Sequence, residues 1–293
     1  SVMKKVAVVG GAGHVGLPLS LVIAESGFET IIVDIDEEKI NSIRNGKFPF
    51  VERGGHELLD KSNNFLISYT SEYSAIKGCD VIILTIGTPV DKHLNPNLSP
   101  VYETIDQLQP YLRDGQVMVL RSTLFPGTSE KISSRLQKKG LNISVSFCPE
   151  RVAQGYALEE IKLFPQIISG SDSHAIDTAR DLFLRFSNEV IELELAEAEL
   201  AKLYTNVWRY ITFAVANQFY IIAEEKGFMM SGGKSTFLGF SIKGEMLPAS
   251  ESAYLKNNIL CHLNVNVIGE LELPMEVSLD PILAGKRGVK LEA

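Results

Sequence analysis

The chain has 293 residues, 45% of them hydrophobic and 22% charged, with 28 basic and 36 acidic side chains. At roughly 150 residues per domain this length allows about two domains and a sizeable core, which excludes collagenous, disordered and disulfide-dense classes. A net charge of −8 speaks against nucleic acid or an anionic membrane surface as partner, because the overall field repels both.

The cysteines Cys79, Cys148 and Cys261 are far apart and form no CxxC pair, so neither a disulfide framework nor a metal site is expected. A reducing cytoplasm is the natural setting. No apolar stretch reaches the ~20 residues that span a bilayer. The best candidate, Ile211–Ile222, is interrupted by Asn217 and Gln218. The apolar run at the start is punctuated by glycine, unlike a signal peptide.

In chain order, strands are predicted at Val6–Val9, Thr30–Val33, Val81–Thr85, Val117–Arg121, Ile143–Phe147, Gln166–Ser169 and Val190–Leu193. Most are apolar throughout, as strands covered by helices on both faces read. Helical periodicity separates them at Gly16–Ser26, Glu37–Asn45, Pro100–Leu112, Thr128–Lys139 and His174–Phe186. The alternation predicts βαβ units around a mostly parallel sheet. Around Ala196 it gives way to one long helix, Ala196–Lys226, with apolar residues at helical spacing and Gly227 at its end. At 1.5 Å per residue it spans roughly 45 Å, long enough to join two bodies or to pack against a second subunit. Beyond Gly227 the periodicity fades. The expected organisation is a dinucleotide-binding domain over 1–195, a central dimerisation helix over 196–228, and a divergent or truncated tail over 229–293.

Gly11-Ala12-Gly13-His14-Val15-Gly16 follows the first strand and opens the first helix. In that context GxGxxG reads as a dinucleotide fingerprint: Gly11 for the turn, Gly13 for close approach of a pyrophosphate, Gly16 for helix-to-strand packing, and helix N–H donors for the anion. A glycine-rich turn without a ligand is the bland alternative. Asp34 ends the second strand and suits the ribose hydroxyls of NAD while repelling a 2′-phosphate. Asp36 reads as a helix N-cap rather than a ligand. Lys39 either reaches the ribose or sits in solvent. Later strands end at Gly87-Thr88-Pro89, Ser122-Thr123 and Cys148-Pro149-Glu150, bringing hydroxyls and an acid to one sheet edge. Each alone reads as a turn or cap. On the long helix, Lys202 and Asn206 share a face, with Arg209 near the next turn.

Together these residues resemble the UDP-glucose/GDP-mannose dehydrogenase family of nucleotide-sugar dehydrogenases, over Lys4 to Gly227. The carrying motifs are Val15-Gly16-Leu17-Pro18, Val33-Asp34-Ile35-Asp36, Gly87-Thr88-Pro89, Arg121-Ser122-Thr123, Cys148-Pro149-Glu150-Arg151 and Glu199-Leu200-Ala201-Lys202-Leu203-Tyr204-Thr205-Asn206. The resemblance implies a Rossmann-type doubly wound domain, NAD as cofactor, and a homodimer built through the long helix. It implies oxidation of the C6 alcohol of a UDP-hexose or UDP-N-acetylhexosamine to the uronate, with two NAD and a cysteine-bound thioester. Glu150 is then the general base and holder of the hydrolytic water, Thr123 holds that water or the substrate oxygen, and Lys202 with Asn206 stabilises the oxyanion at C6. The cofactor residues it implies are Gly11, Gly13, His14, Val15, Gly16, Asp34, Lys39, Gly87, Thr88, Ser122 and Gln154, the last standing where relatives can carry Glu.

Two departures accompany the match. The family's nucleophilic cysteine is flanked by glycines and followed by Asp, roughly fifty to seventy residues after the lysine. Cys261 falls in that range, but Asn257-Asn258-Ile259-Leu260-Cys261-His262 lacks that pattern and reads as an incidental cysteine. No second fingerprint follows Gly227, so a C-terminal nucleotide-sugar-binding domain is not expected in this chain. The alternative to an active dehydrogenase is therefore a catalytically incomplete NAD-binding, dimerising protein of the same lineage. A third reading halts oxidation at the aldehyde.

Overall fold

The structure, a computed structural model, describes residues 5–89, 97–152 and 154–208, together with the backbone of three short strands nearer the C-terminus. It divides into two compact units, Ser1–Leu203 and Tyr204–Ala293.

The first unit is built on a six-stranded sheet of β1 (Lys5–Val9), β2 (Glu29–Val33), β3 (Ile67–Thr70), β4 (Val81–Leu84), β5 (Val117–Leu120) and β6 (Ser144–Phe147). All neighbours are parallel and the spatial order is β3-β2-β1-β4-β5-β6. This is a doubly wound order whose direction reverses between β1 and β4, where such sheets open a crevice beyond their carboxyl ends. Around it lie α1 (Gly16–Glu25), α2 (Glu37–Arg44), α3 (Gly55–Lys61), α4 (Ser99–Leu108), α5 (Thr128–Lys138), α6 (Ala157–Leu163), α7 (Ser173–Phe183) and the part of α8 (residues 195–208) up to Leu203.

The apolar strands have a simple cause. Successive side chains leave a strand on opposite faces, so Val6, Val8, Ile32, Val81, Ile83, Val117 and Val119 join one buried cluster with residues of α1, α2, α3, α6 and α7. Their alternates Ala7, Val9, Ile31, Val33, Ile82, Leu84, Met118 and Leu120 join a second cluster with α4, α5 and the start of α8. Helix α1 is itself buried from Gly16 to Ala24, which places the glycine-rich turn at a rigid point of the fold.

Five elements differ from the expectation. Strand β3 lies on the sheet edge and its residues are mostly half-buried, so it carries no apolar run to betray it. Helices α3 and α6 have seven residues each, too few to display a helical period. The expected strands near Gln166 and Val190 form, as β7 (Gln166–Ile168) and β8 (Val190–Glu192), but pair with each other in a separate two-stranded sheet. Ser146 and Gly170 form an antiparallel bridge at the edge of β6. That edge is where the parallel series stops.

In the second unit, β9 (Ser235–Phe237), β10 (Phe240–Gly244) and β11 (Leu263–Val267) form an antiparallel sheet in the order β11-β10-β9. The expected helix beyond residue 208, Arg209 and Cys261 lie outside the described residues.

Candidate active site

The backbone ladder continues one residue past each central strand. The N–H groups of Thr85, Arg121 and Cys148 donate to Val9, Leu84 and Leu120 at 2.9, 3.0 and 2.9 Å. This register aligns the turns that follow β1, β4, β5 and β6 along one edge of the sheet, so motifs far apart in the chain become neighbours.

At the first of these turns, Gly10 takes a φ of +77° and its N–H donates to Val33 O at 2.9 Å. The tight turn expected at Gly11 is made by Gly10, whose positive φ is open mainly to glycine. Gly11 is constrained by packing instead, since a Cβ there would lie 2.6 Å from Val8 O and 2.9 Å from Ile32 Cγ2. A Cβ on Gly16 would lie 2.3 Å from Gly10 O and 2.6 Å from Gly11 Cα, so this glycine lets α1 close onto the turn. Among the described residues a Cβ on Gly13 meets only Gly10 O, at 3.3 Å. The lack of a side chain on that side of the turn permits close approach to its backbone. Helix α1 starts with no capping side chain and no acidic residue in its first turn, which keeps its leading N–H groups suited to an anion.

Asp34 braces this turn. Its Oδ2 accepts from Ala12 N at 3.0 Å and its Oδ1 from Asp36 N at 3.0 Å. Each carboxylate oxygen keeps further acceptor capacity, so the same group suits two ribose hydroxyls. Asp36 caps α2, accepting from Lys39 N, and pairs with Lys39 Nζ at 2.9 Å. His14 is exposed at the start of α1 and stacks on Phe50, with ring centroids 4.0 Å apart. Burial, then the charge of Lys39, lowers its pKa. Val15 is half-buried beside it.

After β4, Thr85 Oγ1 donates to Val9 O at 2.9 Å, tying this strand end to the glycine turn. Gly87 is exposed and Thr88 half-buried. Ser122 follows β5 and its hydroxyl donates to Ile86 O at 2.6 Å, joining the β4 and β5 turns. Thr123 is half-buried.

Beyond β6, Glu150 is buried and both oxygens of its carboxylate accept hydrogen bonds. Arg121 Nη2 binds Oε2, while Arg151 N and Val152 N donate to Oε1 at 2.8 and 3.2 Å. Burial alone raises such a carboxyl, but the Arg121 charge and these hydrogen bonds outweigh it and hold the pKa below its ordinary value. The Arg121 side chain is 0% exposed and its guanidinium lies 5.0 Å from the Phe183 ring centroid. Its Nε and Nη1 find no hydrogen-bond partner among the described residues. Sequence reasoning quoted Arg121 within a motif without giving it a task. Its place one residue past β5, next to the strand that delivers Glu150, is the signal that was available.

Helix α8 brings Lys202 to the same place, where its ammonium donates to the Glu150 carbonyl oxygen. Asn206 is half-buried one turn further along that helix. Gln154 is exposed in the loop after Glu150. Thus the sheet edge gathers Thr85, Ser122, Thr123, Glu150 and Lys202, whereas Lys39 is held by Asp36. Cys148 is fully buried, its pKa raised by burial, so it is not poised as a nucleophile. Among the described residues no cluster of side chains suits a metal ion, and no helix is long and apolar enough to cross a membrane.

Residues 4–187 match the model of the UDP-glucose/GDP-mannose dehydrogenase family, NAD binding domain. The chain belongs to this family. Its cofactor is NAD, and the fingerprint geometry fits it. The chain is 32% identical over 231 residues to a UDP-N-acetyl-D-mannosamine dehydrogenase of Methanococcus aeolicus, covering 76% of this chain and 51% of that protein. Over 274 residues it is 31% identical to the UDP-glucose 6-dehydrogenase TuaD of Bacillus subtilis, covering 87% of this chain and 59% of that protein. The solved structure of UDP-D-ManNAc dehydrogenase from Pyrococcus horikoshii superposes with a TM-score of 0.70 at 28% identity, covering 76% of this chain and 55% of that one. The chain spans about half the length of the curated relatives it matches.

Proposed function

We propose that this chain serves an NAD-dependent nucleotide-sugar 6-dehydrogenase, which oxidises the C6 alcohol of a UDP-hexose or UDP-N-acetylhexosamine to the uronate. The observation that carries this reading is the meeting of Lys202 with Glu150 beyond β6, on the same carboxyl-end edge of the sheet as the fingerprint turn after β1. A cation, a held carboxylate and the half-buried Thr123 hydroxyl thereby stand on the side of the fold that binds NAD, and the relatives named above act on UDP-sugars.

NAD supplies the hydride acceptor. Gly11, Gly13, His14, Val15 and Gly16 hold its pyrophosphate through the α1 N-terminus, and Asp34 its adenosine ribose. Lys39 acts on the ribose only indirectly, by pairing with Asp36. Gly87, Thr88 and Ser122 border the dinucleotide, and Gln154 approaches its nicotinamide end. Lys202, with Asn206, is the cation that stabilises negative charge developing on the C6 oxygen. Thr123 orients that oxygen or the attacking water.

The depressed pKa of Glu150 makes it a weak base, so positioning of water by a fixed carboxylate is favoured over storage of a proton. Assembly as a homodimer through the helix that begins at α8, and action in the cytoplasm, belong to the same proposal.

The test is NADH formation with UDP-N-acetylmannosamine and UDP-glucose under reducing conditions, with NAD binding measured by calorimetry on the same sample. Two NADH per sugar is the expected result. Tight NAD binding without turnover on either sugar, or on other UDP-hexoses, would overturn this reading in favour of a non-catalytic NAD-binding chain.

A further inference from the structure

Between α2 and α3 runs a segment, residues 46–54, that touches both halves of the candidate site. At one end Phe50 stacks on His14 of the fingerprint turn, and Phe48 packs edge-on against Phe50 with centroids 4.9 Å apart. At the other end Glu52 is buried. Its two carboxylate oxygens accept from Gly155 N and Leu158 N, each at 3.1 Å, and Arg53 N donates to Gly155 O at 3.0 Å. Burial raises the Glu52 carboxyl, and the amides of Leu158, Gly155 and Ala157 pull it down in part.

Those amides belong to the loop that leaves β6 with Glu150, passes Gln154 and enters α6. Helix α6 has no capping side chain of its own, so Glu52 caps it from about a hundred residues earlier in the chain. Lys162 Nζ pairs with Glu25 Oε2 at 2.6 Å and fastens the same helix to α1.

We infer that Glu52 is a positioning residue, the end of a strap over residues 46–54 that holds the Glu150–Gln154 loop in one frame with the dinucleotide turn. Glu52 acts through the backbone of Gly155 and Leu158. A carboxylate suits this task because it offers an acceptor to each of two N–H groups, whereas an amide offers one acceptor and sets its own donors against the other. The role in reaction rests on the proposed function; the role in ordering the loop does not.

The experiment compares the whole chain with Glu52→Gln and Glu52→Asp. Amide hydrogen exchange is read without ligands, followed by NAD calorimetry and, with a UDP-sugar, kcat and KM. In Glu52→Gln, exchange at Gly155 and Leu158 is expected to quicken by about tenfold or more while the β1, β4 and β5 amides keep their protection. NAD affinity is expected to change by less than about twofold, and kcat to fall about tenfold with a smaller change in KM. Glu52→Asp, which keeps both acceptors on a shorter arm, is expected to recover part of the protection and of kcat.

Unchanged exchange at Gly155 and Leu158 in Glu52→Gln would overturn the strap. Faster exchange with kcat unchanged would overturn the positioning role. Because exchange needs no substrate, absence of turnover in the parent chain counts against the proposed function and leaves the loop-ordering result to stand or fall by itself.

Discussion

Glu199 accepts both the N–H and the hydroxyl of Ser129, at 2.8 and 2.7 Å through Oε1, while Oε2 takes Gly127 N at 2.6 Å. The carboxylate is wholly buried and caps α5 from α8. Since Glu199 precedes Lys202 by less than one helical turn, this contact fixes how far α8 advances over the sheet edge and so where the ammonium lies. Glu199→Ala strands the N–H groups of half-buried Gly127 and buried Ser129, and should cost on the order of 3 kcal/mol in urea unfolding. A loss below about 0.5 kcal/mol would show that α5 keeps its N-terminus without this cap.

Asp34→Ala should weaken NAD binding by roughly ten- to a hundredfold, the loss of one or two hydrogen bonds to a charged group. It also frees the Ala12 N–H, so calorimetry needs a thermal melt beside it. Unchanged affinity in a folded variant would remove Asp34 from the cofactor site.

Gly16→Ala tests the turn rather than the ligand. The added methyl would meet backbone at 2.3 and 2.6 Å, and neither Gly10 O nor Gly11 Cα sits on a flexible side chain. Overpacking here should cost about 1–3 kcal/mol or more and abolish NAD binding, as read by the shift of the unfolding midpoint with and without NAD. Retention of wild-type stability would mean that α1 withdraws freely from the turn.

Glu150 sets an acid limb. Its folded pKa is depressed, by the Arg121 charge and its hydrogen bonds against an opposing burial effect. An unfolded chain therefore binds this proton more readily than the native one, and stability contributed at neutral pH is lost as pH falls through the acid range toward the folded value. Glu150→Gln should remove this part of the pH dependence. It should also cost about 3–5 kcal/mol at neutral pH, because Arg121 is left buried and unpaired. Urea unfolding across pH reads both, and an unchanged acid limb in the variant would deny Glu150 this part.

Cys79 and Cys148 are buried, and burial pushes Cys79 up to about 11 and Cys148 upward. Neither should react with a neutral-pH thiol reagent in the folded protein. If the chain turns over, Cys261→Ser is expected to leave NADH formation unchanged. Loss of uronate in a folded variant would make Cys261 the nucleophile after all.

Much of the fold was legible because its causes are local or periodic. Val81 to Leu84 reads as a doubly covered strand since both its faces are buried, and the glycines before α1 are demanded by steric limits within a few residues. Asp34 stands out in the sequence by its offset from the glycine turn, and Lys202 by the face it shares with Asn206. What stayed hidden depends on distant partners. Glu52 is an ordinary acid until Gly155 and Leu158 are brought against it, and Arg121 is a motif residue until β6 delivers Glu150 beside it. The pairing of β7 with β8 outside the main sheet, beside the isolated antiparallel bridge of Gly170 with Ser146, is a choice of partner that no alternation of apolar residues records.

By itself, then, the sequence determined a doubly wound domain, the place of its dinucleotide turn and the strand ends that carry polar groups, because side-chain periodicity and backbone sterics act over short spans. Only the tertiary structure decided that the Glu150 carboxylate is ion-paired, that Lys202 rests on its carbonyl, and that Glu199 and Glu52 fix the flanking helices. Buried polar groups take whatever partners the packed fold presents, and those partners lie 29 to 106 residues away.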